Sequence, residues 1–287
     1  MSMADADILQ AARALGVIGG NNQSAHRILA TLCDPNLDAR QVAEVIQRDP
    51  GIAARVLKVA NSAYYGSSRQ IGSLDRALML LGQDSVRTIA AAACLDRGTP
   101  RSNHQAPIDP RALTRHCVAS AFAAESLSKH SGRGAPTEAF MAALLHDYGV
   151  PVQERVDTQG VVRLLQALAS DEETSPLELE EKLVQVGHAR CAEVVFKDWR
   201  LPESIVVAAS HHEAPARAPA PLRELALLVH LGVQLALQAG FTHPLEPRPG
   251  RVARELLLAS LGLNEETVAP IAEGLAERVQ VVMDSAG

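Results

Sequence analysis

Residues 42–60, VAEVIQRDPGIAARVLKVA, carry apolar side chains at intervals of three and four residues. This spacing places them on one face of an α-helix, because a helix has 3.6 residues per turn. Asp49-Pro50-Gly51 interrupts the pattern, since the residue before a proline disfavours helical backbone and glycine marks a turn. The stretch therefore predicts two short helices joined by a turn.

The next segment of the chain carries the same kind of signal. Ser73 stands where a helix N-cap is expected, apolar residues follow at helical spacing, and Gly82 stands near the expected end. A further helix is predicted after residues 83–84, running through the alanine-rich stretch 89–95. No run of alternating polar and apolar residues bounded by turn signals is apparent, so the predicted fold class is all-α.

Composition limits the class of protein. The chain has 287 residues, 47% of them hydrophobic, and a net charge of −6, which predicts a globular protein of one large or two smaller domains. The acidic balance argues against nucleic acid as a partner. The unbroken apolar run at residues 89–95, which no other run exceeds, is too short to span a membrane. No signal peptide is apparent at the N-terminus, and we expect a soluble, cytoplasmic protein.

The four cysteines indicate no metal or redox motif. Cys33, Cys94, Cys117 and Cys191 are far apart in the chain, and none belongs to a Cys-x-x-Cys pair. We expect them to be small buried apolar residues.

Several of the ten histidines stand at or near the ends of predicted helices. These candidates, together with one adjacent aspartate, are His116, His146, Asp147, His188, His211 and His212. If they converge, imidazole and carboxylate ligands would suit Fe, Mn, Ni or Zn. The alternatives are hydrogen-bonded core histidines and, for the double histidine, a polar helix end that complements the helix dipole. The remaining histidines without a partner in register are predicted to lie on the surface: His26, His104, His130 and His243.

Motifs along the chain resemble one known family in a consistent order. They are Asp49-Pro50, residues 55–65, 71–77 and 81–87, then ALLHDYG at 143–149, WRLPE at 199–203 and His211-His212. Together they resemble the HD superfamily of metal-dependent phosphohydrolases and, more specifically, the HDOD family, over about residues 20–240. The resemblance implies a helical N-terminal half, residues 1–107, packed on an HD-like helical half, residues 108–287. It also implies a role in bacterial signal transduction.

The chain departs from the catalytic relatives at three places. Val150 follows Gly149 where HD-GYP relatives have a lysine, and the Gly-Tyr-Pro stretch expected after the double histidine is absent. Val233, in Val-His-Leu-Gly-Val, occupies the position of the closing aspartate. A valine cannot bind a cation, so one anionic ligand is lost.

These departures favour a regulatory, non-catalytic protein with a degenerate HD-type metal pocket. The metal would be held by the candidate ligands, as one ion or as two bound weakly. These candidates are His116, His146, Asp147, His188, His211 and His212. No catalytic residue is assigned. Expected partners are other signalling proteins and a nucleotide-type ligand. The alternative is a metal-dependent phosphohydrolase acting on a nucleotide or a cyclic dinucleotide. In that case Arg115, beside His116, is the candidate to replace the missing lysine as the cation near the leaving phosphate.

Four residues outside the histidine set are further candidates. Asn61 and Ser62 either line a ligand pocket or end the helix before them, and the structural interpretation is favoured because a turn follows at Gly66. Tyr64 is expected to pack against the half that carries His146 and Asp147. Trp199 is expected to be a contact between the two halves.

Overall fold

A computed structural model describes residues 3–16, 23–65, 70–98, 107–171, 173–245 and 254–283. These residues form α-helices and short 3-10 turns, with no strand among them, which confirms the all-α prediction. The helices are Met3–Ala14 (α1), Gln23–Leu32 (α2), Ala39–Gln47 (α3), Pro50–Ala60 (α4), Leu74–Leu81 (α5), Gln83–Gly98 (α6), Pro110–Ser131 (α7), Pro136–Leu145 (α8), Val150–Val156 (α9), Thr158–Ser170 (α10), Pro176–Leu183 (α11), His188–Asp198 (α12), Glu203–Ser210 (α13), Arg223–Gln238 (α14), Arg254–Ser260 (α15) and Glu265–Met283 (α16).

The predicted helix boundaries are set by local capping. Asp49 separates α3 from α4, and its carboxylate accepts hydrogen bonds from the backbone N–H groups of Gly51 and Ile52. Ser73 caps α5 by accepting from the N–H of Arg76. Gly82 ends α5 with φ of 80°, a conformation that a side chain would disfavour. The two helices and the turn predicted for residues 42–60 are therefore confirmed.

One large apolar core contains residues from α1 to α9 and from α12 to α16. A smaller apolar cluster joins α10 and α11 to the start of α7 and to Leu245. Because the large core includes residues from both sides of position 107, the two predicted halves share buried surface. A division into two domains at that position stays a prediction.

Helix α7 lies at the centre and packs against α8, α14 and α16. Its approach to α14 is close at Gly232, where an added Cβ would lie 2.8 Å from the carbonyl oxygen of Ser120 and 2.9 Å from the amide nitrogen of Ala124. The absence of a side chain at Gly232 therefore allows the two backbones to meet.

Replacing Gly232 by alanine should destabilise the protein by about 1–3 kcal/mol, because the added methyl group meets backbone atoms that no rotamer change can move. Gly274 in α16 is the matched control, since nothing lies within 4 Å of its added Cβ. Gly274→Ala should be neutral or stabilise by up to about 1 kcal/mol, because alanine favours the helix. Urea unfolding of both variants measures the difference, and equal stabilities would contradict this account of the crossing.

One stretch among the described residues has the length and apolar character of a membrane span. It is Ala220–Gln238, 19 residues with a mean hydropathy of 1.3, and 56% of its most apolar window is buried inside the protein. Helix α14, which forms most of this stretch, packs against α7, α8 and α13. The core helix of a globular protein has the same properties.

All four cysteines are buried, as predicted, and each is a thiol. Burial raises the pKa of Cys33 and of Cys191 to about 12, and it also raises that of Cys117. These three thiols are therefore neutral and are not nucleophiles at physiological pH.

Candidate metal centre

Asp147 lies at the centre of a group of buried imidazoles that come from different parts of the fold. His146 and Asp147 follow the end of α8, and His116 lies in the first half of α7. His188 begins α12, and His212 follows α13 by two residues. The structure thus brings together five of the six residues predicted as metal ligands.

Three imidazoles surround one oxygen of the Asp147 carboxylate. Oδ2 lies 2.9 Å from Nε2 of His243, 3.1 Å from Nε2 of His146 and 3.9 Å from Nε2 of His116. Ligand atoms that share a tetrahedral metal at 2.0–2.1 Å are about 3.4 Å apart. The separations among His116, His146 and Asp147, with the two Nε2 atoms 3.3 Å apart, therefore match the spacing of ligands around one ion.

Backbone hydrogen bonds set the tautomers of these histidines. Nδ1 of His116 donates to the carbonyl of Phe241 at 2.7 Å, and Nδ1 of His146 donates to the carbonyl of Ala143 at 2.6 Å. In the neutral rings Nε2 is then unprotonated and turned towards Asp147. Such bonds on the far nitrogen are what orient metal-binding histidines.

The Asp147 Oδ2 side of the centre has an excess of hydrogen-bond acceptors. The Nε2 atoms of His116 and His146 are 3.3 Å apart beside the carboxylate, and the hydroxyl of Ser120 lies 3.5 Å from His116 Nε2. Burial lowers the pKa of His116 to about 3, and the adjacent His243 and His146 contribute to the decrease, so the ring stays neutral. A cation between these atoms would remove the repulsion between their lone pairs.

Two further imidazoles face the other carboxylate oxygen. Asp147 Oδ1 lies 3.5 Å from Nε2 of His188 and 3.7 Å from Nε2 of His212, whose Nδ1 donates to the carbonyl of Ala209 at 2.7 Å. Glu213 adds a carboxylate 3.9 Å from His188 Nε2. The carboxylate of Asp147 therefore stands between two separate groups of imidazoles and is the residue that would help to hold an ion on either side.

Glu180 orients His188 from outside the centre. Its carboxylate accepts from His188 Nδ1 at 2.7 Å and from the amide of Gln153 at 2.6 Å. Burial lowers the pKa of His188, but Glu180, Glu213 and Asp147 outweigh it and raise the pKa to about 10. Burial raises the pKa of Glu213 to about 7, against the opposing effect of His188. The negative charge around His188 thus needs a positive counterpart, which either a proton or a metal ion would supply.

Three buried atoms of the centre have no hydrogen-bond partner among the described residues: Asp147 Oδ2, His188 Nε2 and His243 Nε2. Buried polar atoms without a partner cost free energy, and a bound cation that accepts their lone pairs removes that cost. Imidazole and carboxylate donors at this spacing fit a divalent metal of the Fe, Mn, Ni or Zn type.

The prediction that His243 lies on the surface is wrong. The side chain is 5% exposed and reaches Asp147 from the segment after α14. No sequence motif links His243 to the other histidines of the centre, so this contact could not be predicted from the sequence. Glu180 and Glu213 were also missed. Glu213 does directly follow the double histidine, which is a signal that could have been used.

His26 is also buried, against prediction. Its ring stacks on Trp199 with centroids 5.3 Å apart, and Trp199 meets Tyr148 edge to face at 5.1 Å. Because His26 belongs to α2, Trp199 does join the N-terminal part of the chain to the part that carries Asp147. His130 is exposed as predicted, and His104 lies outside the described residues.

Two predicted candidates lie apart from the centre. His211 is half-buried and hydrogen bonds through Nδ1 to the carbonyl of Val207 in its own helix, with no contact to Asp147 within the described chain. Arg115 is exposed, because neighbouring positions on a helix point in directions about 100° apart and His116 takes the inward one.

Asn61 and its neighbours have structural environments. The Asn61 amide donates to the carbonyls of Leu57 and Ile71, at 2.7 and 2.9 Å, and accepts from the Ile71 N–H at 2.7 Å. It therefore ends α4 and fixes the return of the chain, as the structural interpretation predicted. Ser62 is half-buried, and Tyr64 is 40% exposed. The 3-10 turn Ala63–Tyr65 packs against α16, which belongs to the half that carries Asp147.

A cleft of about 620 Å³ reaches the centre from one side. Its lining residues are Pro107, Asp109, Ala112, Leu168, Thr242, His243 and Pro244. His243 belongs to both the cleft and the centre. The described residues of the lining include one acidic side chain and neither lysine nor arginine.

The fold and this centre define a helical protein of the HD type. The HDOD domain family model matches residues 21–215, and the chain belongs to that family. It is also 20% identical, over 193 residues, to an uncharacterised protein of Treponema pallidum (strain Nichols). That match covers 67% of this chain but only 37% of the relative.

Solved structures share the fold. An HDOD domain protein of unknown function from Geobacter sulfurreducens is 21% identical with a TM-score of 0.72, covering 91% of this chain and 90% of that one. A candidate phosphohydrolase from Shewanella amazonensis SB2B is 21% identical with a TM-score of 0.69, covering 98% and 97%. A candidate signal transduction protein from Marinobacter aquaeolei VT8 is 23% identical with a TM-score of 0.68, covering 92% of this chain and 58% of that one.

Proposed function

We propose that this protein is a regulatory HDOD module of signal transduction whose buried centre holds a divalent metal without hydrolysing a phosphate ester. In this role the metal ties α7, α8, α12 and the segments after α13 and α14 together at one point. The partner would be another signalling protein that binds the metal-loaded conformation. The candidate signal transduction protein among the similar structures agrees with this class of role.

The observation that carries the proposal is that the described residues lining the cleft beside the centre include no basic side chain. Catalysis of phosphoryl transfer depends on positioned positive charge around the reacting phosphate. Within the part of the chain that the structure describes, the cleft beside the centre is lined by Asp109 and by no lysine or arginine. Arg115 is exposed, and the position after Gly149 is the buried Val150.

Burial of the ligands supports the same conclusion. His116 and His146 are fully buried and Asp147 is 3% exposed. A substrate phosphate needs direct access to the metal, whereas a structural or sensing ion needs only its protein ligands.

The test combines metal analysis with an activity assay. We expect the purified protein to retain Fe, Mn, Ni or Zn, measured by elemental mass spectrometry, at up to two ions per chain. With each metal added, we expect hydrolysis of cyclic dinucleotides and of a generic phosphodiester to equal that of His146→Ala. The exposed His130→Ala serves as the matched control and should keep the metal content of the wild type.

Turnover that His146→Ala abolishes and His130→Ala leaves intact would overturn the regulatory proposal. It would establish the second candidate, a metal-dependent phosphohydrolase acting on a nucleotide or cyclic dinucleotide. The position of Asp147 between two groups of histidines favours that candidate, since two bridged metals can stabilise the attacking and leaving oxygens of a displacement.

A further inference from the structure

We infer that His243 is a metal ligand of this centre and takes the role that Val233 cannot fill. The inference deepens the proposed function and rests on metal binding at Asp147. It assigns the ion on the Oδ2 side of Asp147 a set of three imidazoles and one carboxylate.

The position of His243 carries the inference. Its Nε2 lies 2.9 Å from Asp147 Oδ2, yet the two atoms lack the alignment of a hydrogen bond, and neither has another such partner within the described chain. The ring meets that of His116 edge to face, with centroids 4.6 Å apart. A short contact between two such buried atoms is expected when both belong to the coordination sphere of one ion.

The backbone after α14 delivers His243 to this place. Gly240 adopts φ of 85°, and the N–H of Phe241 donates back to the carbonyl of Ala236 at 3.0 Å, so the helix ends in a tight reversal. The carbonyl of Phe241 then accepts from His116 Nδ1 at 2.7 Å. The chain is therefore fixed beside the centre two residues before His243. His243, ten positions after Val233, therefore reaches the centre from the segment that follows α14 and not from α14 itself.

Ligation requires a change of tautomer in His243. The N–H of Leu245 donates to its Nδ1 at 3.3 Å, which places the ring proton on Nε2. With a metal held by Nε2, the ring proton would stand on Nδ1, and the long contact with Leu245 would be lost. His243 is therefore the ligand whose engagement alters the segment 241–245.

The chemistry of the ligand set predicts the metal. Replacing an aspartate by a neutral imidazole leaves one anionic ligand on this ion, and nitrogen ligands favour Zn, Ni, Co or Fe over Mg and Ca. Because Thr242, His243 and Pro244 also line the cleft, binding at the centre would change the wall of the cleft. This connects the ion to a surface that a partner can reach.

Cobalt titration tests the inference, because Co²⁺ reports its ligands through visible absorption. The metal-stripped wild type, His243→Ala and the control His130→Ala are titrated, and their thermal melting is followed with and without Co²⁺. We expect His243→Ala to weaken the affinity for Co²⁺ at least about 100-fold. Losing a residue that only orients a metal ligand costs up to about 100-fold, and losing the ligand itself should cost at least as much. Its cobalt spectrum should change, and the rise in melting temperature produced by Co²⁺ should shrink. The control should match the wild type.

A second variant, His243→Gln, keeps most of the side-chain volume and covers a failure of His243→Ala to fold. If a folded variant binds Co²⁺ with the affinity and spectrum of the wild type, His243 is not a ligand, although the proposed function stands. If the wild type itself binds neither Co²⁺ nor Fe, Mn, Ni or Zn, both the inference and the proposed function are wrong.

Discussion

Asp147→Asn should remove bound metal from both sides of the centre. The amide keeps the size of the side chain but loses the negative charge that the two groups of histidines share. We expect an affinity loss larger than the roughly 100-fold predicted for His243, since no other carboxylate lies between the two groups in the described chain. Elemental analysis and cobalt titration measure it.

Asp198→Asn is the control for this variant. Asp198 is exposed at the end of α12, and its replacement changes the net charge by the same amount. If Asp147→Asn retains the metal of the wild type, the ion is bound elsewhere and the assignment of the centre is wrong.

Gly149→Ala should be among the most destabilising single substitutions in the chain. The backbone φ of Gly149 is −76°, which alanine adopts freely, so the destabilisation comes from steric overlap alone. An added Cβ would overlap the carbonyl oxygen of His188 and lie 2.6 Å from the amide nitrogen of Ala192. Both are backbone atoms of α12, so α12 must move. We expect a loss of about 3 kcal/mol or more, measured by urea unfolding.

The same variant should disturb the centre, because the start of α12 places His188. Gly72→Ala is the control, since nothing lies within 4 Å of its added Cβ. We expect Gly72→Ala to retain the stability and the metal content of the wild type. A stable Gly149→Ala with normal metal content would mean that α9 and α12 are less closely packed than the structure has them.

Much of the candidate centre could be predicted from the sequence. His116, His146, Asp147, His188 and His212 follow the order of ligands that the HDOD resemblance implies, and the structure brings them to one place. The prediction that they bind metal still depends on the experiments above. His211 shares the motif with His212, but the turn after α13 carries only His212 to Asp147.

The positions of His243 and Glu180 could not be predicted. His243 has no helical spacing to any other ligand, so nothing local distinguishes it from an exposed histidine such as His130. Glu180 reaches His188 from α11, across the turn between two helices. Each contact depends on how separate helices cross, and no pattern within one helix contains that information.

The amino-acid sequence by itself determined the helices, their ends at Asp49, Ser73 and Gly82, and the family. These features depend on interactions within about four residues or on motifs read in order along the chain. Only the tertiary structure decided that the imidazole of His243 stands beside Asp147. The position of the closing aspartate holds Val233, which cannot bind a cation. The reason is geometric, since the reversal at Gly240 and the crossing of α7 with α14 at Gly232 bring His243 to His116, 127 positions earlier in the chain.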